Sequence, residues 1–159
     1  RRSSSGRRPA GHRVLHPGNL KELIYRGRRS VCCGRHFPAM PRFAILEHQQ
    51  PPKTHWDFFL ESGGVLRAWK LEEPPRADAA LPCHSAPDHR LVYLDYEGPL
   101  TDQRGWVARW DWGTYQLDRE TPTELLLAMD GQRLRGTVHI WRNSPTDSQW
   151  QLLYRPASR

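Results

Sequence analysis

Long hydrophobic runs are missing from this sequence. Apolar residues nowhere approach the roughly 18 in succession that a membrane-spanning helix needs. No stretch of about 7–15 apolar residues lies near the start to serve as a secretory signal. Cysteine is scarce and unevenly placed, at Cys32, Cys33 and Cys83. An odd count with two adjacent thiols makes no disulfide framework. The run Cys32-Cys33-Gly34-Arg35-His36 lacks the paired C-x-x-C ligands of a structural zinc site. A reducing, cytoplasmic setting without membrane contact is therefore expected. Also lacking are a Gly-rich phosphate loop, a G-x-S-x-G elbow and a cysteine placed as a nucleophile.

Acidic residues are nearly absent from the first 39 positions. Nine arginines and Lys21 stand there against Glu22 alone, a net of +9. The other 14 basic and 16 acidic residues fall in 40–159, a net of −2. The overall charge of +7 and isoelectric point near 9.8 thus belong to the head. All seven tryptophans and both methionines lie at or beyond position 40. Residues 1–39, rich in Arg, Ser, Gly and Pro, read as a disordered basic head, with at most a helical turn or two over Leu20–Tyr25. The head reads first as sequence upstream of a start at Met40; a transit peptide and a DNA-binding arm are the other readings. Mean hydropathy is only −0.79, but residues 40–159 can bury one modest core, and one domain is expected there.

From Arg42 onward apolar residues alternate with period two. The expected strands are Arg42–His48, His55–Glu61, Val65–Leu71, Leu91–Glu97, Gly105–Asp111, Glu124–Met129, Leu134–Trp141 and Trp150–Tyr154. Turn signals at Ser62-Gly63-Gly64, Asp130-Gly131 and Asn143-Ser144-Pro145 separate them. Pro51-Pro52, Pro74-Pro75, Pro82 and Pro87 mark their stretches as loops. The expected fold is all-β, a compact antiparallel barrel of about eight strands with long loops.

In His55-Trp56-Asp57-Phe58-Phe59-Leu60-Glu61, alternation puts His55, Asp57, Phe59 and Glu61 on one face and Trp56, Phe58 and Leu60 on the other. His48 ends the preceding strand, and an antiparallel neighbour could bring its ring to the same place. Two imidazoles and a carboxylate suit a divalent transition metal; a hydrogen-bonded Asp–His pair on a solvated face is the alternative. His89 and Tyr93 share strand parity, so both could meet a phosphate oxygen, or simply water at a strand edge. Trp106, Trp110, Trp112 and Tyr115 lie among arginines and could stack on nucleic acid, but such alternation reads better as core. His84 and His139 read as surface or satisfied structural histidines.

The order of these blocks resembles a known family. Arg42-Phe43-Ala44-Ile45-Leu46-Glu47-His48, then His55–Glu61, then Val65-Leu66-Arg67-Ala68-Trp69, then Asp88-His89-Arg90-Leu91 with Tyr93 and Asp95-Tyr96-Glu97-Gly98, is similar to the 3′-phosphoesterase domain of bacterial DNA ligase D. The likeness runs in order over about residues 41–155. It implies a Mn²⁺-dependent hydrolase that removes a 3′-ribonucleoside and then the 3′-phosphate from DNA ends in double-strand-break repair. By position, His48, His55 and Asp57 would hold the metal, and His89 and Tyr93 would contact the phosphate. DNA 3′ ends would be the substrate; a separate ligase, polymerase or Ku-like protein would be the partner. Three positions differ: Phe59 stands where the family has a phosphate-binding Arg, Leu46 where it has Gln, and Glu73 where it has Lys. A binding module of the same fold without turnover is therefore the second reading. A structural barrel that binds nothing is the third.

Overall fold

The computed structural model describes residues 39–158. The basic head expected over 1–39 lies, but for Ala39, outside the described residues. Nine strands follow in chain order: β1 (Arg42–Gln50), β2 (Lys53–Ser62), β3 (Val65–Leu71), β4 (Ala80–His89), β5 (Gly98–Pro99), β6 (Trp106–Thr121), β7 (Glu124–Gly131), β8 (Arg135–Trp141) and β9 (Gln149–Pro156). They form one antiparallel sheet in the order β1-β2-β3-β4-β9-β8-β7-β6-β5, and β1 also pairs with β6. Eight strands thus close into a hydrogen-bonded ring, with the two-residue β5 attached to β6. Closure gives β1 a partner on both sides, which removes the exposed edges of an open sheet. No helix among the described residues is long and apolar enough to cross a membrane.

Alternation along the strands divides the side chains between two apolar clusters. The larger draws Phe43, Phe58, Trp69, Leu81, Tyr115, Leu127, Val138 and Leu152 from all eight ring strands. The smaller lies on the opposite face of β1, β2, β3 and β6, where Ala44, Leu46, Phe59, Leu66, Ala68 and Val107 meet Leu94. The side chains of the candidate site, His48, His55 and Asp57, belong to this second face, outside the ring. Cys83 is buried in the main core, and burial pushes its thiol up to about 12, so it is inert at neutral pH.

Asp111 anchors the β7–β8 turn. It is fully buried, and its carboxylate accepts the backbone N–H groups of Trp112, Gln132, Arg133 and Leu134 at 2.8–3.0 Å. Gly131 has to be glycine for this approach, because a Cβ there would lie 2.6 Å from Asp111 Oδ2.

Three sequence expectations are corrected. The segment 80–89, expected to be loop because of Pro82 and Pro87, is strand β4. Leu91–Glu97, expected to be strand, contains a 3₁₀ helix over Leu91–Leu94 that buries Leu94. The strand expected over Gly105–Asp111 starts at Trp106 and runs on to Thr121. The aromatic segment divides accordingly: Tyr115 is in the core and Trp110 packs against it, while Trp106 and Trp112 face solvent.

Candidate metal centre

The β1–β2 hairpin positions the first three side chains. Its turn at Pro51-Pro52 pairs Gln50 with Lys53, and the antiparallel register then sets His48 directly opposite His55. Both side chains project from the outer face, their ring centroids 4.4 Å apart. Asp57, two residues beyond His55 on the same face, reaches both: Oδ2 lies 3.4 Å from His48 Nδ1 and Oδ1 lies 3.5 Å from His55 Nε2. The ligand atoms of the three residues lie within 4.8 Å of one another.

His48 is oriented from behind. Its Nε2 lies 2.6 Å from the backbone carbonyl of Arg104. A carbonyl only accepts, so Nε2 donates to it, and the ring's other nitrogen, Nδ1, is turned toward Asp57. The loop bearing Arg104 reaches this close because Gly105 follows it. Gly105 has φ +89°, and a Cβ there would meet the Gln49 carbonyl oxygen at 2.0 Å. Arg104 is itself held by its guanidinium, which donates to the Thr101 carbonyl and hydroxyl at 3.0 Å each.

The separations of 3.4 and 3.5 Å exceed those of good N–H···O hydrogen bonds. Two imidazole nitrogens and a carboxylate, converging with one ring oriented by a backbone carbonyl, are a donor set that fits a divalent transition metal. His48, His55 and Asp57 therefore form a group able to hold a metal ion.

The same three residues line a cavity of about 260 Å³ with Phe59, His89, Tyr93 and Arg104. His89 ends β4, and its Nδ1 donates to the Pro87 carbonyl at 2.7 Å, which leaves Nε2 for a ligand. Tyr93 arrives from the 3₁₀ helix, not from the strand expected there, yet the His89 and Tyr93 rings still meet, with centroids 5.9 Å apart. Phe59 packs against both, at 5.0 Å from His89 and 6.3 Å from Tyr93, and makes part of the wall apolar. Of the two histidines expected to be uninvolved, His84 is exposed on β4, and His139 stacks on Trp141 with Nε2 2.9 Å from Glu124.

Sequence reasoning missed two residues. Lys70 pairs opposite Asp57 in the β2–β3 register and lines the cavity. Its signal was present: the Gly63-Gly64 turn pairs Ser62 with Val65, and counting back from that pair reaches Asp57 and Lys70. Arg104 acts through its carbonyl, which no side-chain pattern reveals.

Comparison with known proteins accords with this geometry. The family model of the DNA ligase D 3′-phosphoesterase domain matches residues 46–142. A multifunctional non-homologous end joining protein LigD of Pseudomonas aeruginosa is 31% identical over 125 residues, covering 70% of this chain and 15% of that protein. The proteins of that type from Mycobacterium bovis and Mycobacterium tuberculosis are 30% identical over 111 residues, covering 64% of this chain and 14% of theirs. The chain thus spans about one seventh of the length of the curated relatives it matches. The match takes in His48, His55, Asp57, His89 and Tyr93 within one continuous stretch, and the chain belongs to the DNA ligase D 3′-phosphoesterase domain family.

Proposed function

We propose that this chain is a Mn²⁺-dependent phosphoesterase that removes a 3′-phosphate or 3′-ribonucleotide from DNA ends during end-joining repair. The observation that carries this reading is the convergence of His48 Nδ1, His55 Nε2 and the Asp57 carboxylate beside His89 and Tyr93 in one cavity. His48, His55 and Asp57 would hold the cation. A divalent cation bound there would polarise the phosphoryl oxygens and offset charge developing in the transition state. His89, its Nδ1 committed to the Pro87 carbonyl, would present Nε2 to the phosphate, and when charged it would donate from that atom. The Tyr93 hydroxyl would donate to a second phosphate oxygen. DNA 3′ ends are the proposed partner, and the joining steps fall to a ligase, a polymerase or a Ku-like protein in the compartment that holds the DNA.

A second reading is favoured by one specific observation. Phe59, 2% exposed, puts a benzyl group where a phosphate-binding cation would help. A module that binds metal and DNA ends without turnover would fit that wall. The experiment mixes the full chain with a primer–template bearing a 3′-phosphate or a terminal ribonucleotide, with and without Mn²⁺. Metal-dependent release that disappears in His55→Ala is expected. Metal binding without release would favour the second reading, and absence of metal binding would remove both.

A further inference from the structure

The chain contains only three lysines, Lys21, Lys53 and Lys70. The two that belong to the ring line one groove. This groove has a volume of about 590 Å³ and lies beside the cavity just described. It shares Gln50, His55 and Lys70 with that cavity, so the two adjoin. Its volume falls within the range of roughly 300–1,000 Å³ typical of small-ligand sites.

Lys53 reaches the groove from the tip of the β1–β2 hairpin, and Lys70 from β3 opposite Asp57. Both are exposed, and among the described residues neither is held in an ion pair. Elsewhere the ring uses arginine, and many of those arginines are engaged with carboxylates or stacked on aromatic rings. A lysine is a mobile point charge with three donors, able to follow a phosphate without a fixed two-toothed geometry. Against the two cations stands one carboxylate, Glu72. The rest of the lining is the rings of Pro51 and Pro52 with the polar Gln50 and Thr54. That mixture suits a sugar and base face next to a phosphodiester better than a bare anion.

We infer that this groove is a second phosphate subsite, with Lys53 and Lys70 as its cations, seating the phosphodiester next to the 3′ end presented to His48, His55 and Asp57. The inference rests on the proposed activity and specifies its substrate: a nucleic-acid strand at least two nucleotides long, not an isolated phosphomonoester. Lys70, on the wall between the two cavities, would also supply cationic charge near the position that Phe59 leaves apolar.

The test is direct binding of a 3′-phosphorylated single-stranded hexanucleotide to the full chain with Mn²⁺, followed over a range of salt concentrations. Each phosphate contact by a basic side chain contributes about 0.7 to the slope of log affinity against log salt for a single strand. Lys53→Ala and Lys70→Ala are each expected to weaken binding several-fold and flatten the slope by about 0.7, and Lys53→Arg is expected to restore it. Lys53 sits on an exposed hairpin tip, so its variant reports binding without threatening the core. Arg119, exposed on β6 and part of neither cavity, is the control. Unchanged slopes in both lysine variants, or an equal flattening in Arg119→Ala, would overturn the inference. Release of 3′-phosphate by the wild type with unchanged slopes removes the groove and leaves the proposed activity standing. Flattened slopes without release do the reverse.

Discussion

Phe59 shows how a single side chain sets the character of the site. It stands on the same strand face as His55 and Asp57, as the alternation of β2 requires, but is buried in the outer apolar cluster with Leu46, Leu66 and Leu94. That face therefore passes from polar to apolar between Asp57 and Phe59. An arginine there would sit within reach of His89 and Tyr93 and could grip a phosphate with two parallel hydrogen bonds. Phe59→Arg should lower KM for a 3′-phosphorylated substrate several-fold. It should also cost about 1–3 kcal/mol of stability, because the aromatic packing is lost and a charge is partly desolvated. Steady-state kinetics paired with thermal melts measure both effects. A stable variant with unchanged KM would mean that the position does not face the phosphate. The residue scale is also where the sequence was most readable: parity alone separated His55 and Asp57 from Trp56, Phe58 and Leu60. The Arg104 carbonyl was unreadable because a backbone atom leaves no mark on the pattern of side chains.

At the scale of elements, the misread segments share a cause, in that neighbouring strands decide what a local pattern becomes. Proline argues against a strand because it removes a ladder donor. In β4 each proline falls where one side of the ladder is already open. Pro82 pairs with Gln151 of β9 but lies beyond the last residue that β3 reaches, Cys83. Pro87 lies past the end of the β9 pairing and inside the register shift opposite Leu66 and Ala68. The segment Leu91–Glu97 alternates like a strand, yet the neighbours Tyr93 and Leu94 both pack on the outer cluster, as a 3₁₀ turn allows and a strand would not. A bidentate pair holds this segment in place: Arg42, the first residue of β1, donates to Asp95 at 2.5 and 3.1 Å. The hydrogen-bonded guanidinium of Arg42 holds the Asp95 carboxyl below its ordinary value, against an opposing desolvation. The folded value is thus lower than the unfolded one. The pair's contribution is complete above the unfolded value, near 4, and disappears as pH falls through the lowered folded value. Its size, as an exposed pair, is under about 1 kcal/mol. Asp95→Asn should lower the urea midpoint slightly at pH 7 and leave it unchanged at the acid limit. A gap of equal size at pH 7 and pH 2.5 would show that the effect is not one of charge.

For the whole molecule, the closed ring and the charge division lead to one expectation. The all-β class was readable because eight stretches alternate and turns punctuate them; the closure was not, because the β1–β6 pairing joins residues 57–72 positions apart and only the assembled sheet brings Ile45 to Asp111. The core and the His48–His55–Asp57 group come wholly from residues 42–156, whose share of the charge is close to neutral, while residues 1–39 carry +9. Long-range attraction to a polyanion follows net positive charge and is screened by salt, whereas the proposed metal group and groove lysines would act at short range on one strand end. The two contributions should separate on truncation. A chain beginning at residue 39 should lose at least tenfold in affinity for long duplex DNA at low salt, and its log affinity should fall far less steeply with log salt. Metal-dependent release from a short 3′-phosphorylated strand should stay within about twofold in kcat, since none of the groups proposed to face the phosphate would be removed. Binding titrations over a salt series and single-turnover release on the two chains decide the matter. An unchanged salt slope would assign the attraction for DNA to arginines on the ring itself, and a large fall in kcat would mean that part of the head completes the site.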